Sequence, residues 1–292
     1  MLGLFLIASL FLFDEETSIY LQTHPIARDA SKEFRDPYFQ SLFYIDDLGE
    51  EGDTVKSTIK SGFSYEGNLG VIIDELARPG SIAVDLGAHI GVHTLTLSKK
   101  IGPLGKVYSF EPNRKLYSEL VQNIKINACQ NVIPICKAVG EKEKQAFYKW
   151  GWIDDERPYG AGYLVPVVPL DTYSLKNVSL IKMDVENYEY LILQGAAQTI
   201  RESKPVIIFE CYLECSFETV SSEQQRENFE KVISLIESYG YEIYIIHCCN
   251  FIAFPLNSYP LSIYKSKFQK LDRKTYNPHT PSADSIDYRK WF

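Results

Sequence analysis

A chain of 292 residues has room for one large domain or two small ones and for a substantial buried core. Its 30 basic and 38 acidic side chains leave a formal charge of −8, which argues against a general nucleic-acid binder resting on a basic face. Hydrophobic residues at 45% and charged residues at 23% exclude wholesale disorder. Six cysteines (Cys129, Cys136, Cys211, Cys215, Cys248 and Cys249) do not make a disulfide scaffold in a chain this long, and a reduced, cytoplasmic protein is expected.

The run Met1 to Phe13 carries no charge and ends at Asp14, Glu15 and Glu16. It is shorter than the ~20 apolar residues a spanning helix needs. Neither a basic n-region nor a small-residue cleavage site accompanies it. The expectation is an apolar element packed on the domain or against a partner, with an interfacial membrane anchor or an atypical signal peptide as alternatives. The polar stretch from 14 to 60 has weak periodicity and reads as short helices, which makes 1–60 an N-terminal extension.

From Gly62 to Pro260 short β-rich runs alternate with helical patterns. Strands are predicted at 81–85, 106–111, 131–139, 179–185 and 205–210. Helices are predicted at 89–101, 113–127, 188–202 and 221–240, the last stopped by Gly240. The runs 241–248 and 251–255 read as a closing hairpin. Strands alternating with helices mean parallel crossovers, hence a mostly parallel, doubly wound α/β sheet with a C-terminal antiparallel strand over residues 61–260. Residues 261–292 read as a polar tail.

The first crossover carries the strongest chemical signal. SIAVDLGAHIGVHT sets Asp85, Gly87, His89 and Gly91 between a strand and a helix. Glycines there permit positive φ and close backbone approach, and the helix N-terminus beyond favours an anionic group. Glu111 ends the second strand, where a carboxylate can accept both ribose hydroxyls, so an adenosine-containing cofactor is expected. The spacing Gly87-x-x-x-Gly91 is not that of a dinucleotide fold, and Asp85 suits a cationic amino group better than a pyrophosphate.

These segments resemble the FkbM-type family of S-adenosylmethionine-dependent methyltransferases. The matching text is VDLGAHIGVHT (84–94), GKVYSFEP (105–112), NVIPICKAVG (131–140), LIKMDVENYEYLILQGA (180–196) and KPVIIFE (204–210). The resemblance implies a Rossmann-like class I methyltransferase with S-adenosyl-L-methionine as cofactor, usually methylating a hydroxyl on a small molecule or carbohydrate. Carried over by position, Asp85, Gly87, His89 and Gly91 would line the methionine end and ribose. Glu111 would take the ribose diol, and Ala138 with Val139 would flank the adenine. Each also has a plainer reading: helix–strand packing for Gly91, ordinary core for Ala138 and Val139, a helix cap for Glu111, a packed helix residue for His93. His89 and Asn187 stand where the family usually has Asn and Gly.

In KMDVENYE, Lys182, Asp184 and Glu186 alternate with apolar residues, so a strand would project all three charges to one side. Either Lys182 and Asp184 form an ion pair under a loop, or Asp184 and Glu186 open into the crevice at the strand's carboxyl end, where ligands bind. Asp184 is the first candidate for a catalytic base or acceptor-orienting group and Glu186 the second. Glu210 is a further acid on the same rim. No metal site is expected, because these acids lack a full ligand set and the cysteines lack CxxC spacing. Trp150, Trp152 and Tyr159 either stack on a sugar or anchor the 140–172 insertion. The resulting expectation is an O-methyltransferase, and the rival is a non-catalytic nucleotide- or glycan-binding module on the same fold.

Overall fold

Short apolar runs that form strands alternate with segments of helical period along the chain. The computed structural model describes residues 32–46, 52–149, 152–154, 162–212, 222–247, 249–273 and 275–276. It opens with β1 (Glu33–Arg35) paired to β2 (Leu42–Tyr44), turned at Asp36, whose Oδ1 accepts from the backbone N–H groups of Tyr38 and Phe39. Helix α1 (Thr54–Lys60) starts on Asp53, whose side chain accepts from the Lys56 N–H, and α2 (Gly67–Leu76) follows. Next come β3 (Ile82–Leu86), α3 (Val92–Ile101), β4 (Lys106–Phe110), α4 (Arg114–Ile126) and β5 (Val132–Ile135). A second set comprises β6 (Ala138–Val139), β7 (Lys144–Lys149), β8 (Trp152–Asp154) and β9 (Tyr163–Val168). The chain continues with β10 (Val178–Met183), α5 (Glu189–Gly195), α6 (Ala197–Ser203), β11 (Val206–Glu210) and α7 (Ser222–Ser238). It closes with β12 (Tyr241–His247), β13 (Asn250–Pro255), α8 (Tyr259–Tyr264) and β14 (Gln269–Lys270).

The main sheet has the order β14-β12-β13-β11-β10-β3-β4-β5. From β5 to β11 the strands are parallel, and β13 enters antiparallel between β11 and β12. Alternation divides the core in two. Val84, Leu86, Ile181, Met183 and Phe209 are buried with Leu193, Ile200 and Val232 of α5, α6 and α7. Ala83, Val107, Leu180 and Ile208 are buried with Ile72, Leu97 and Leu120 of α2, α3 and α4. Helices therefore cover both faces, as a parallel sheet requires. Chain order reverses between β3 and β10, which fixes the crevice at their carboxyl ends.

Several boundaries differ from the sequence reading. The predicted strand 131–139 is two strands in different sheets: β5 pairs with β4, whereas Ala138 and Val139 pair with Val167 and Val168 of β9. The 140–172 insertion contributes three strands to a four-stranded sheet, ordered β6-β9-β7-β8, and its inward residues Ala146, Tyr148, Val165 and Val167 follow a period of two. The predicted helix 188–202 breaks at Ala196. Beside that break Gly195 packs so tightly that a Cβ on it would lie 1.9 Å from the Gly140 carbonyl oxygen. Within 14–60 the described part is a hairpin and one helix rather than helices alone. Residues 1–13, like Trp150 and Tyr159, lie outside the described residues, and no helix among those described is long and apolar enough to cross a membrane.

The upstream hairpin is tied to the sheet through α4. The Tyr44 N–H donates to Asn123 Oδ1 at 2.6 Å, and Leu42 exchanges two hydrogen bonds with the Asn127 amide, at 2.9 and 2.7 Å. Beside them Lys56 Nζ meets Glu119 Oε1 at 2.7 Å, both side chains buried. Removing one partner of such a pair costs about 3–5 kcal/mol.

Candidate active site

At the carboxyl ends of β3, β4 and β10 lies a cavity of about 780 Å3, within the ~300–1,000 Å3 that small-molecule sites occupy. Its first wall is the turn after β3. Gly87 takes φ +76, and a Cβ there would fall 1.8 Å from the Asp184 carbonyl oxygen, so no larger residue fits. His89 takes φ +51, and Gly91 takes φ +98 as it begins α3.

Glu111 faces this turn from the end of β4. Its Oε2 accepts the His89 N–H at 2.9 Å and its Oε1 accepts the Asn113 N–H at 2.8 Å. Burial raises its pKa, although His89 and the two N–H groups pull the other way. Each oxygen keeps a second lone pair for a ligand hydroxyl. Glu111 thus lines the cavity and also braces the start of the next helix.

Gly87, His89, Glu111, Ala138, Val139, Asp184 and Glu186 all line the cavity. Asp85 and Gly91 lie behind its wall. Asp85 is fully buried and accepts from Thr94 Oγ1 at 2.6 Å, while Gly91 lets α3 approach α4, since a Cβ on it would reach Leu120 at 2.8 Å. The parallel register sets Lys182 beside Asp85, with Nζ 3.7 Å from Asp85 Oδ1 and 3.3 Å from Asp184 Oδ2. Burial alone would lower the Lys182 pKa, but Asp184, Asp85 and Glu66 outweigh it and keep the ammonium charged.

The opposite wall is acidic. β10 ends at Met183, so Asp184 and Glu186 are presented by a turn and not by strand alternation. Glu186 and Asn187 both take positive φ, +53 and +69, a conformation uncommon for residues other than glycine. Burial opposes ionisation of Asp184, but Lys182 and a hydrogen bond from Glu210 prevail and hold its pKa below the usual range. Burial and then Asp184 push Glu186 up to about 7. Burial, with Asp184 beside it, pushes Glu210 up to about 10. The Tyr212 hydroxyl donates to Glu210 Oε2 at 3.0 Å. One wall therefore holds acids driven apart, Asp184 downward by Lys182 and Glu186 and Glu210 upward by burial and Asp184.

The small sheet closes the remaining side with Tyr148 and Tyr163, their ring centroids 5.5 Å apart. The roles expected of Trp150 and Tyr159 fall outside the described residues. Sequence reasoning also missed Asp53 and Tyr65, which line the cavity from upstream of β3. An Asp before a short helical run was a legible cap, but nothing in the sequence tied it to this cavity. Among the described residues no group of three or more His, Cys, Asp and Glu side chains is arranged to hold a metal ion.

A doubly wound sheet with an antiparallel strand inserted near one edge, and a cavity at its switch point, define a Rossmann-like class I methyltransferase body. The methyltransferase FkbM domain matches residues 85–243, just over half of the chain. The fold is similar to a methyltransferase FkbM from Methylobacillus flagellatus, at 21% identity and TM-score 0.43, over 63% of this chain and 50% of that one. It is also similar to a SAM-dependent methyltransferase from Aquifex aeolicus, at 12% identity and TM-score 0.41, over 65% of this chain and 92% of that one. A third is TYW2 of M. jannaschii in complex with AdoMet, at 20% identity and TM-score 0.41, over 78% of this chain and 85% of that one. No curated protein matches the chain. The chain belongs to the FkbM methyltransferase family. Its cofactor is S-adenosylmethionine, and the residues present fit that group: a glycine turn, a buried carboxylate with free lone pairs, and a cavity of sufficient size.

Proposed function

We propose that this methyltransferase acts on a hydroxyl oxygen of a small-molecule or carbohydrate acceptor. The reading rests on the graded acidity of the wall formed by Asp184, Glu186 and Glu210. When bound, S-adenosylmethionine supplies an electrophilic methyl group on a sulfonium centre. An alcohol attacking that carbon must give up a proton, and a placed base typically adds ~10²–10⁴-fold.

Glu186, raised to about 7 and lining the cavity, is suited to take that proton near neutrality. Asp184, held ionised by Lys182, is a weaker base and orients the acceptor by accepting a hydrogen bond from a neighbouring polar group, not from the reacting hydroxyl. This reverses the order in which the sequence alone ranked the two. Glu210, raised to about 10, keeps its proton and donates. On the donor side, Glu111 takes the ribose diol, Gly87 and His89 border the methionine end, and Ala138 with Val139 border the adenine. Asp85 and Gly91 support that turn from behind. Holding the two reacting atoms in line supplies about 7–11 kcal/mol.

The test is a methyl-release assay over a panel of hydroxylated acceptors, with calorimetry of S-adenosylhomocysteine in parallel. Glu186→Gln is expected to lower kcat at least ~10²-fold with little change in affinity. Unchanged turnover, or equal loss of cofactor-product binding, would remove Glu186 from the role of base. Transfer to amines but to none of the alcohols would sink the O-methylation reading.

A further inference from the structure

The chain upstream of residue 85, where the family match begins, reaches the first crossover at two points and meets a histidine each time. Asp53 Oδ2 lies 3.2 Å from His89 Nε2, and Glu66 Oε2 lies 2.9 Å from His93 Nε2. Both histidines line the cavity, and so do Asp53 and Tyr65.

We propose that the upstream segment 52–66 is a wall of the donor site, in which Asp53 is a positioning residue that sets the His89 ring against the bound cofactor. This rests on the cavity being the S-adenosylmethionine site. Three observations carry it. First, Asp53 divides its carboxylate: Oδ1 accepts the Lys56 N–H at 2.9 Å and caps α1, leaving Oδ2 for the ring. Second, His89 holds a left-handed φ of +51 while its own N–H anchors Glu111 at 2.9 Å. A single hydrogen-bonded path therefore runs from Asp53 through His89 and Glu111 to the Asn113 N–H. Third, His89 Nδ1 and His93 Nδ1 are buried without hydrogen-bond partners, and the His93 side chain is only 5% exposed. Buried ring nitrogens left unpaired are costly unless a ligand meets them.

The charge state agrees with the geometry. Burial works to raise the Asp53 pKa, but the His89 ring and the Lys56 N–H prevail and bring it down to about 2. The carboxylate that grips the ring is thus ionised at any physiological pH. Family membership does not provide this grip, because residue 53 lies outside the matched region.

The test exploits the double duty of Asp53. Asn caps a helix about as well as Asp, so Asp53→Asn keeps the cap on α1 and removes only the charge facing His89. Calorimetry of the full chain with S-adenosylhomocysteine should show about tenfold weaker binding for Asp53→Asn at an unchanged thermal midpoint. Asp53→Ala should lose the cap as well and lower the midpoint. His89→Asn tolerates the left-handed turn and removes the ring. It should weaken binding by a similar factor, and the double variant should be no weaker than either single one. Wild-type affinity in Asp53→Asn, or additive losses in the double variant, overturns the proposal. If Asp53→Asn does not fold, wild-type affinity in His89→Asn overturns it instead. A wild-type chain that fails to bind S-adenosylhomocysteine is a distinct result, which refutes the cofactor assignment itself.

Discussion

After β3 the chain turns through Gly87, His89 and Gly91, and each nearby carboxylate is matched: Asp85 by Thr94 and Lys182, Glu111 by two backbone N–H groups, Asp53 by His89. After β10 it turns through Glu186 and Asn187, and there the acids outnumber the cations. Glu186, Glu189 and Glu210 are all pushed up, and Lys182 is the ammonium that meets Asp184. Neither turn is free of backbone strain, since both use positive φ. They differ in electrostatic settlement. On the first, each carboxylate has a named partner, although burial still raises Glu111. The second gathers acids that burial and mutual repulsion push towards the protonated form, the arrangement the proposed proton transfer draws on.

The sharpest way to break the first turn is Gly87→Ala. The new methyl would collide with the Asp184 carbonyl at a φ that alanine disfavours. A cost of about 3 kcal/mol or more is expected, with loss of cofactor-product binding, read by denaturant unfolding and calorimetry. Glu111→Ala comes next. It strands the His89 and Asn113 N–H groups and removes the candidate ribose contact, so S-adenosylhomocysteine should bind about 10–100-fold more weakly.

The second turn answers to pH. If Glu186 takes the proton, turnover rises as pH increases through about 7, because only its ionised form accepts. Initial rates between pH 5.5 and 8.5 should change about thirtyfold in wild type and flatten in Glu186→Gln. A further expectation concerns stability. Glu189 is raised from 4.5 to about 8, so the folded chain holds a proton that the unfolded chain releases. Stability is therefore greatest below pH 4.5 as far as this group is concerned, and it declines as pH climbs towards 8. Glu189→Gln should reduce that decline, seen as a shallower fall of thermal midpoint between pH 5 and 8.

Much of this was legible in the residues. Asp85, Gly87 and Gly91 announced a strand-to-helix turn, and Glu111 an acid facing it, because glycine freedom and an acid at a strand end leave local marks. The alternation of Lys182, Asp184 and Glu186 pointed to the second wall, although the chain presents Glu186 by a left-handed turn that a strand pattern does not encode. The small sheet was read as loop. Its strands are short and separated by Gly-rich text, and the pairing of Ala138 with Val167 spans too far along the chain for periodicity to reveal. Asp53 and Tyr65 escaped for the same reason. Their role arises from where α1 docks, which Asn123, Asn127, Lys56 and Glu119 decide together.

The insertion of β13 between β11 and β12 has a bearing on biosynthesis. Once β11 (Val206–Glu210) leaves the ribosome, its outer edge has no mate until Asn250–Pro255 has also been translated. At about 5–20 residues per second this leaves a bare apolar ladder for seconds. During that interval the nascent sheet is open to pairing with a neighbouring chain.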